Sequence, residues 1–258
     1  MRRQVLVTEL LKLRRSVVPW VTLAAILFAP LGIALFMWIA QDPERAASLG
    51  LLGAKANLAG FEATWPAYGG YLALIVGAGG MLLIAFIVAF LFGREYAEGT
   101  ARNLLALPVD RAWFVSGKLS VAGLWWAVLV LAALVEGFLI GLALGLPELT
   151  ADVFWHAVGT ALICAAASFL LAPVIAWVTI WSRSDTAAVG FALGALLVGN
   201  LLGHTGWGPW FPWSIVPLLT GISGAATAVP WTSYLVLGLT FVGGVVGSVH
   251  RIRHADNP

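Results

Sequence analysis

"YGGYLALIVGAGGMLLIAFIVAFLF", residues 68–92, carries no charged side chain. A hydrocarbon core of about 30 Å is crossed by about 20 helical residues, and this run is long enough to cross it. Its apolar residues are continuous and do not alternate, which argues for a helix and against the strand of a membrane barrel. The whole chain has the same character. Of its 258 residues 61% are hydrophobic and 10% charged, and the mean hydropathy is +0.96. No water-soluble domain of this length could cover such a composition with polar surface.

Five further runs, residues 17–40, 119–146, 153–181, 186–203 and 231–249, are equally apolar. The expected fold is all-α: an integral membrane protein with six transmembrane helices in a single transmembrane domain, residues 1–258. Pro19, Pro30 and Pro173 fall within spans and are expected to kink them. The opening "MRRQVLVTELLKLRRSVVPW" superficially suits an export signal, with Arg14 and Arg15 as a twin-arginine pair. The run that follows exceeds a signal's apolar region and ends in "QDPER" without a small-residue cleavage site, so it reads as a retained first span.

With six spans and an inner N-terminus, Arg2, Arg3, Lys12, Arg14, Arg15, Arg94, Arg102, Arg111, Lys118, Arg183, Arg251 and Arg253 fall inside. Only Arg45 and Lys55 fall outside. That asymmetry predicts cytoplasmic N- and C-termini. A net charge of +2 without a basic stripe gives no footprint for nucleic acid. The single cysteine, Cys164, lies in an apolar run and reads as a small core residue. On the outer side, residues 204–230 contain no charge but Pro209, Pro212, Pro217 and several tryptophans. Two readings stand for them: a re-entrant hairpin dipping into the outer leaflet, or an aromatic-belt loop on the surface.

Charge returns in "FGREYAEGTARNLLALPVDR", residues 92–111, between the second and third runs. Residues 94–107 can form a short amphipathic helix stopped before Pro108. Tyr96, Leu104 and Leu107 share one face, Thr100 and Asn103 lie along its edge, and Glu95, Glu98 and Arg102 mark the other. Arg94 with Glu98, and Glu98 with Arg102, are i,i+4 pairs. Asp110 is a plausible N-cap for the third span. Any cytoplasmic loop needs charge, and that alone would account for the composition.

The stretch "EYAEGTARNLLALPVDRAWFVSGKL" nevertheless resembles the segment between spans two and three of the ABC type-2 exporter permeases. "VTELLKLRRS", residues 7–16, resembles that family's N-terminal amphipathic connecting helix, residues 1–16 here. Leu6, Leu10, Leu13 and Val17 share its apolar face, and Lys12, Arg14 and Arg15 can reach headgroups. "WFPWSIVP", residues 210–217, resembles the proline-tryptophan segment before the last span of bacitracin- and lantibiotic-type permeases. The resemblance implies a coupling helix at residues 94–107 that fits a groove of a cytoplasmic ATPase. Arg94, Glu95, Glu98, Gly99, Thr100 and Arg102 would lie at that interface, with Leu104, Leu105 and Leu107 anchoring it.

"SGKLS" at residues 116–120 lacks the first glycine of a phosphate-binding loop and the hydroxyl directly after its lysine. The chain is therefore expected to be a transport subunit and not an enzyme, with ATP and Mg²⁺ on a separate ABC ATPase present in two copies. The implied assembly pairs it with a second copy or a sister permease in a bacterial cytoplasmic membrane, exporting an amphipathic or hydrophobic substrate such as a peptide antibiotic, drug or lipid-like compound. Two alternatives are a non-transporting immunity or sensor permease and an intramembrane enzyme on lipid-linked substrates, the latter lacking a cluster of acids or histidines at one face. Glu136 is the acid placed well inside a span. It reads as a substrate contact, a gate, a dimer-interface hydrogen bond or a protonated structural group, with Asn200 and His204 as polar partners at similar depth. His250 and His254 share a helix spacing with no third ligand in view, so no metal site is expected.

Overall fold

The computed structural model describes residues 2–42, 62–100, 111–221 and 229–254; the side chains of residues 2–5 are not described. The described residues form helices α1 (Arg2–Arg14), α2 (Val18–Ala40), α3 (Trp65–Leu74), a π-helical turn (Ile75–Gly79), α4 (Gly80–Ala97), α5 (Arg111–Ala143), α6 (Ala151–Leu170) and α7 (Ala172–Ser182). They continue with α8 (Asp185–Gly203), a 3₁₀ turn (Gly208–Trp210), α9 (Pro212–Leu219) and α10 (Trp231–His254). Six helical stretches are long and apolar enough to cross a membrane, namely Val18–Ala40, Trp65–Ala97, Arg111–Ala143, Ala151–Ser182, Asp185–Gly203 and Trp231–His254. The six expected spans are all present, most of them extending past the ends that hydropathy gave them. Leu131, Leu139, Leu197, Leu201 and Leu239 are exposed on their outer faces, where a multi-pass protein meets lipid.

The prolines act differently from one another. Pro30 is carried inside α2 without ending it. Pro173 stands in the first turn of α7 and divides the fourth span at Leu171, because its ring and missing N–H break the ladder behind it. The second span is interrupted by the π turn instead. There Ser168 Oγ donates to the carbonyls of Gly77 (2.9 Å) and Cys164 (2.8 Å), linking α6 to the irregular turn.

The core runs through the middle of the bundle around Ile84, Ile87, Val88, Leu129, Ile175, Ile215 and Val216. A smaller cluster of Met37, Trp65, Tyr68, Leu72 and Leu146 closes the end opposite the termini. The described part of residues 204–230 is packed into the protein. Ile215 and Val216 are fully buried, Trp213 meets Phe191 edge-on at 5.6 Å, and Ser233 Oγ donates to Pro209 O at 2.7 Å. A freely lying surface loop is not what these residues form. Residues 222–228 lie outside the described residues.

Candidate functional site

Both termini and the end of the second span meet at one end of the bundle, the terminal end. There the sequence predicts one helix over residues 94–107, and the structure corrects this. Arg94–Ala97 is the last turn of α4, and the helix stops at "EGT". Gly99 has φ +66°, its N–H donates to Tyr96 O (3.3 Å), and Thr100 N–H donates to Glu95 O (3.0 Å). This is a Schellman stop, with glycine in the left-handed position that side chains resist. A Cβ on Gly99 would meet nothing within 4 Å, so Gly99→Ala isolates backbone strain. It is expected to lower stability by about 1 kcal/mol, read as a thermal-melting shift, with Gly99→Asn milder. Arg102, Leu104, Leu105 and Leu107 lie outside the described residues.

Beneath this stop lies a four-residue ionic cluster. Lys118, in α5, is 1% exposed, and its three ammonium hydrogens have three acceptors: Glu9 Oε2 (2.8 Å), Glu95 Oε1 (2.8 Å) and Leu91 O (2.5 Å). Lys12 Nζ donates to Glu9 Oε1 (3.0 Å) and Glu95 Oε1 (3.1 Å). Two lysines thus balance two carboxylates. Phe114 and Phe92 present their rings to Lys118 Nζ at 4.8 and 5.7 Å, adding cation–π attraction in a site closed to water. The cluster joins α1, α4 and α5.

The sequence-based roles change accordingly. Glu95 is 5% exposed, so it holds the interior together and offers no surface to a partner. Lys12 points into the cluster rather than toward headgroups, whereas Arg14 and Arg15 are exposed. On α1 Glu9 and Leu13 face inward, while Leu6, Val7, Leu10 and Leu11 are exposed, as is Val17 beyond its end. The expected shared apolar face is thereby split, because buried Lys118 demands carboxylate partners and takes Glu9. Hydropathy missed Glu9 and Lys118. The available signal was a lysine followed directly by an unbroken apolar run.

Glu98 and Arg94 do form the expected pair, with Arg94 Nε donating to Glu98 Oε1 at 2.7 Å on a part-exposed surface. Arg94 also donates to Lys12 O at 3.4 Å, so the rim is tied to α1 as well. Arg111 donates to Ile252 O, fastening the start of α5 to the end of α10. Gly93 allows the close approach of α8: a Cβ there would lie 2.8 Å from Asp185 Cβ and 3.2 Å from its backbone nitrogen. Ser184 caps α8 by accepting from Ala187 N–H.

Electrostatics explain the cluster's pH range. Burial pushes Glu9 up, but Lys118 and Lys12 outweigh it and hold the carboxyl below its ordinary 4.5. Burial pushes Lys12 down, and Glu9 with Glu95 overcome this to hold it above its ordinary 10.5. A lowered carboxyl contributes stability in full above its unfolded value and loses it as pH falls through the folded one; a raised lysine contributes below its unfolded value and loses it as pH rises through the folded one. The contributions of Glu9 and Lys12 are therefore both fully present between pH 4.5 and 10.5. Melting temperature should fall below that window, and Glu9→Gln should flatten the acid limb.

Elsewhere, Glu136 is half-buried on α5, and its Oε2 has no hydrogen-bond partner among the described residues. Asn200 and His204 are exposed and do not pair with it. His250 and His254 lie with ring centroids 4.3 Å apart and their planes tilted by 32°, and the described residues contain no group of three or more His, Cys, Asp or Glu side chains placed to hold a metal.

Residues 5–199 match the family model described as ABC-2 family transporter protein. The chain is also similar to the bacitracin transport permease protein BCRB of Bacillus licheniformis, with 28% identity over 186 residues, covering 72% of this chain and 88% of that one.

Proposed function

Because this chain belongs to the ABC-2 family of transporter proteins, a membrane permease of an ABC transporter, we propose that it exports an amphipathic substrate under the drive of a separate ATPase gripping its terminal end. The carrying observation is the ionic cluster. A force applied at the exposed Arg94–Glu98 rim passes through Glu95 and Lys118 into α5 and through Lys12 and Glu9 into α1, without crossing a flexible joint. Buried ion pairs resist separation because each charge parted from its partner is left desolvated. The rim can thus move the second and third spans as a unit, as alternating access needs.

The remaining assignments follow from that arrangement. The basic residues favour cytoplasmic termini, which puts the rim where an ATPase can reach it. The exposed leucines of α1, beside Arg14 and Arg15, suit the headgroup boundary of the inner leaflet. Residues 204–221, packed between α8 and α10, suit a re-entrant element. Two copies of the chain, or a copy and a sister permease, would complete the pathway, with one ATPase under each. The substrate in the name of the Bacillus licheniformis relative suggests bacitracin or a similar peptide antibiotic as the first compound to try.

Glu98→Lys tests the grip, since Glu98 lies at the rim and its loss leaves the cluster intact. Copurification with the coexpressed ATPase should drop at least tenfold, and ATP-driven antibiotic uptake into inverted vesicles should drop with it, while the melting temperature stays near wild type. Undiminished copurification and uptake would refute the grip. Uptake that needs no ATPase would refute the transporter reading itself.

A further inference from the structure

At the opposite end of the bundle, the hydroxyl of Tyr68 and Oε2 of Glu136 are both buried without a hydrogen-bond partner among the described residues. Tyr68 is 0% exposed. An unsatisfied buried polar group is costly and uncommon, and here two lie on the neighbouring helices α3 and α5. Their helices are pressed close. A Cβ on Gly137 or Gly141 of α5 would lie 2.5 Å from Leu72 or Trp65 of α3, residues that flank Tyr68 along the buried face of that helix.

The surroundings are aromatic. Trp65 stacks on Phe138 at 5.4 Å and meets Tyr68 edge-on at 5.9 Å. Glu136 itself is only half-buried, and its neighbours Val135 and Leu139 are exposed on the outward face of α5. It precedes Ala143, the end of α5, by seven residues, about 10 Å along the axis at 1.5 Å per residue. A polar group at the membrane boundary can reach that depth from the bilayer.

The chemistry selects what that group is. Glu136 offers an acceptor-only carboxylate with no ion-pair partner among the described residues, Tyr68 offers a hydroxyl that can accept, and the rings offer negative faces. A primary ammonium has three N–H donors and the positive charge to match. We propose that Tyr68 and Glu136 form a binding site for the primary ammonium group of an amphiphile at the membrane boundary opposite the termini. The site needs neither ATPase nor transport, so it goes beyond the exporter reading and is tested apart from it. A phosphatidylethanolamine headgroup and a free alkylamine share this chemistry.

Native mass spectrometry of the full chain titrated with dodecylamine tests the site, with dodecyltrimethylammonium as the cation that lacks N–H donors. Glu136→Gln should weaken dodecylamine binding about tenfold or more, as expected for a lost hydrogen bond to a charged group. Tyr68→Phe should weaken it severalfold and leave the trimethylammonium compound unchanged. Neither variant should melt below wild type, because each removes or neutralises a buried group without a partner. Retention of phosphatidylethanolamine over phosphatidylcholine, lost in Glu136→Gln, would identify the lipid as the source; dodecylamine binding without that preference would identify a free amphiphile. Wild-type dodecylamine affinity in both variants, or equal affinity for the two compounds in the wild type, would overturn the proposal.

Discussion

Lys118→Met should destabilise the protein by about 3–5 kcal/mol, the cost typical of removing one member of a buried charge pair. The substitution preserves length and volume but leaves Glu9 and Glu95, 3% and 5% exposed, with only the part-exposed Lys12 for company. Two carboxylates would then share a desolvated pocket, and protonation or local opening is their only relief. The measurement is thermal or denaturant unfolding in detergent at neutral pH. The triple variant Lys118→Met, Glu9→Gln, Glu95→Gln should recover most of the loss, since it removes the charges together with their partner. Equal instability of single and triple variants would mean that Lys118 matters for shape and not for charge.

The second large effect concerns the seam between α7 and α10. A Cβ on Gly244 would lie 2.6 Å from Pro173 C and Val174 N, and these are backbone atoms that cannot swing aside. Ser248 Oγ donates to Pro173 O one turn further on. Gly244→Leu would force the two helices apart and expose Leu237 and Ile252, now 1% and 4% exposed. The cost should reach or exceed the upper end of about 1–3 kcal/mol for overpacking, seen as a lowered melting temperature and a broadened size-exclusion peak. Gly243→Leu, where a Cβ would meet nothing within 4 Å, should change stability by less than about 0.5 kcal/mol. Paired behaviour of these neighbours would contradict the seam.

That contrast also shows what sequence patterning can carry. Gly243 and Gly247 have the G-x-x-x-G spacing, yet Gly244 and Gly247 are the pair that meets α7, because a spacing rule does not say which face is covered. The spans themselves were legible, since a bilayer demands long apolar runs and little else in the chain supplies them. Their ends were not. Hydropathy began the third apolar run at Leu119, after the lysine; reading Asp110 as an N-cap already put the start of the helix near Arg111, where α5 begins, but not the burial of Lys118 inside it. A window over neighbouring residues has no means of seeing that Glu9, more than a hundred positions away, neutralises that lysine.

The charged stretch after the second span was half legible. Charge placement and the resemblance drew attention to residues 94–107, and in the described part, residues 94–100, the Arg94–Glu98 pair exists. Helical periodicity carried the prediction through Gly99, although a glycine after a basic and acidic turn is also a stop signal. The left-handed φ decided between them. Glu95 and Glu98 look equivalent in sequence and differ only by which side of α4 they occupy, so one became an internal strut and the other a surface contact.

Cross-linking from the rim reads directly whether the motor grips the terminal end. Cys164 is the chain's single cysteine and is buried, so Glu98→Cys in a Cys164→Ala background gives one reactive thiol at the rim. Trp155→Cys, at an exposed position near the opposite end, is the control. A motor seated at the terminal end gives a cross-link to the coexpressed ATPase from position 98 and none from position 155. Cross-linking from position 155, or its absence from position 98 in a complex that still copurifies, would contradict it.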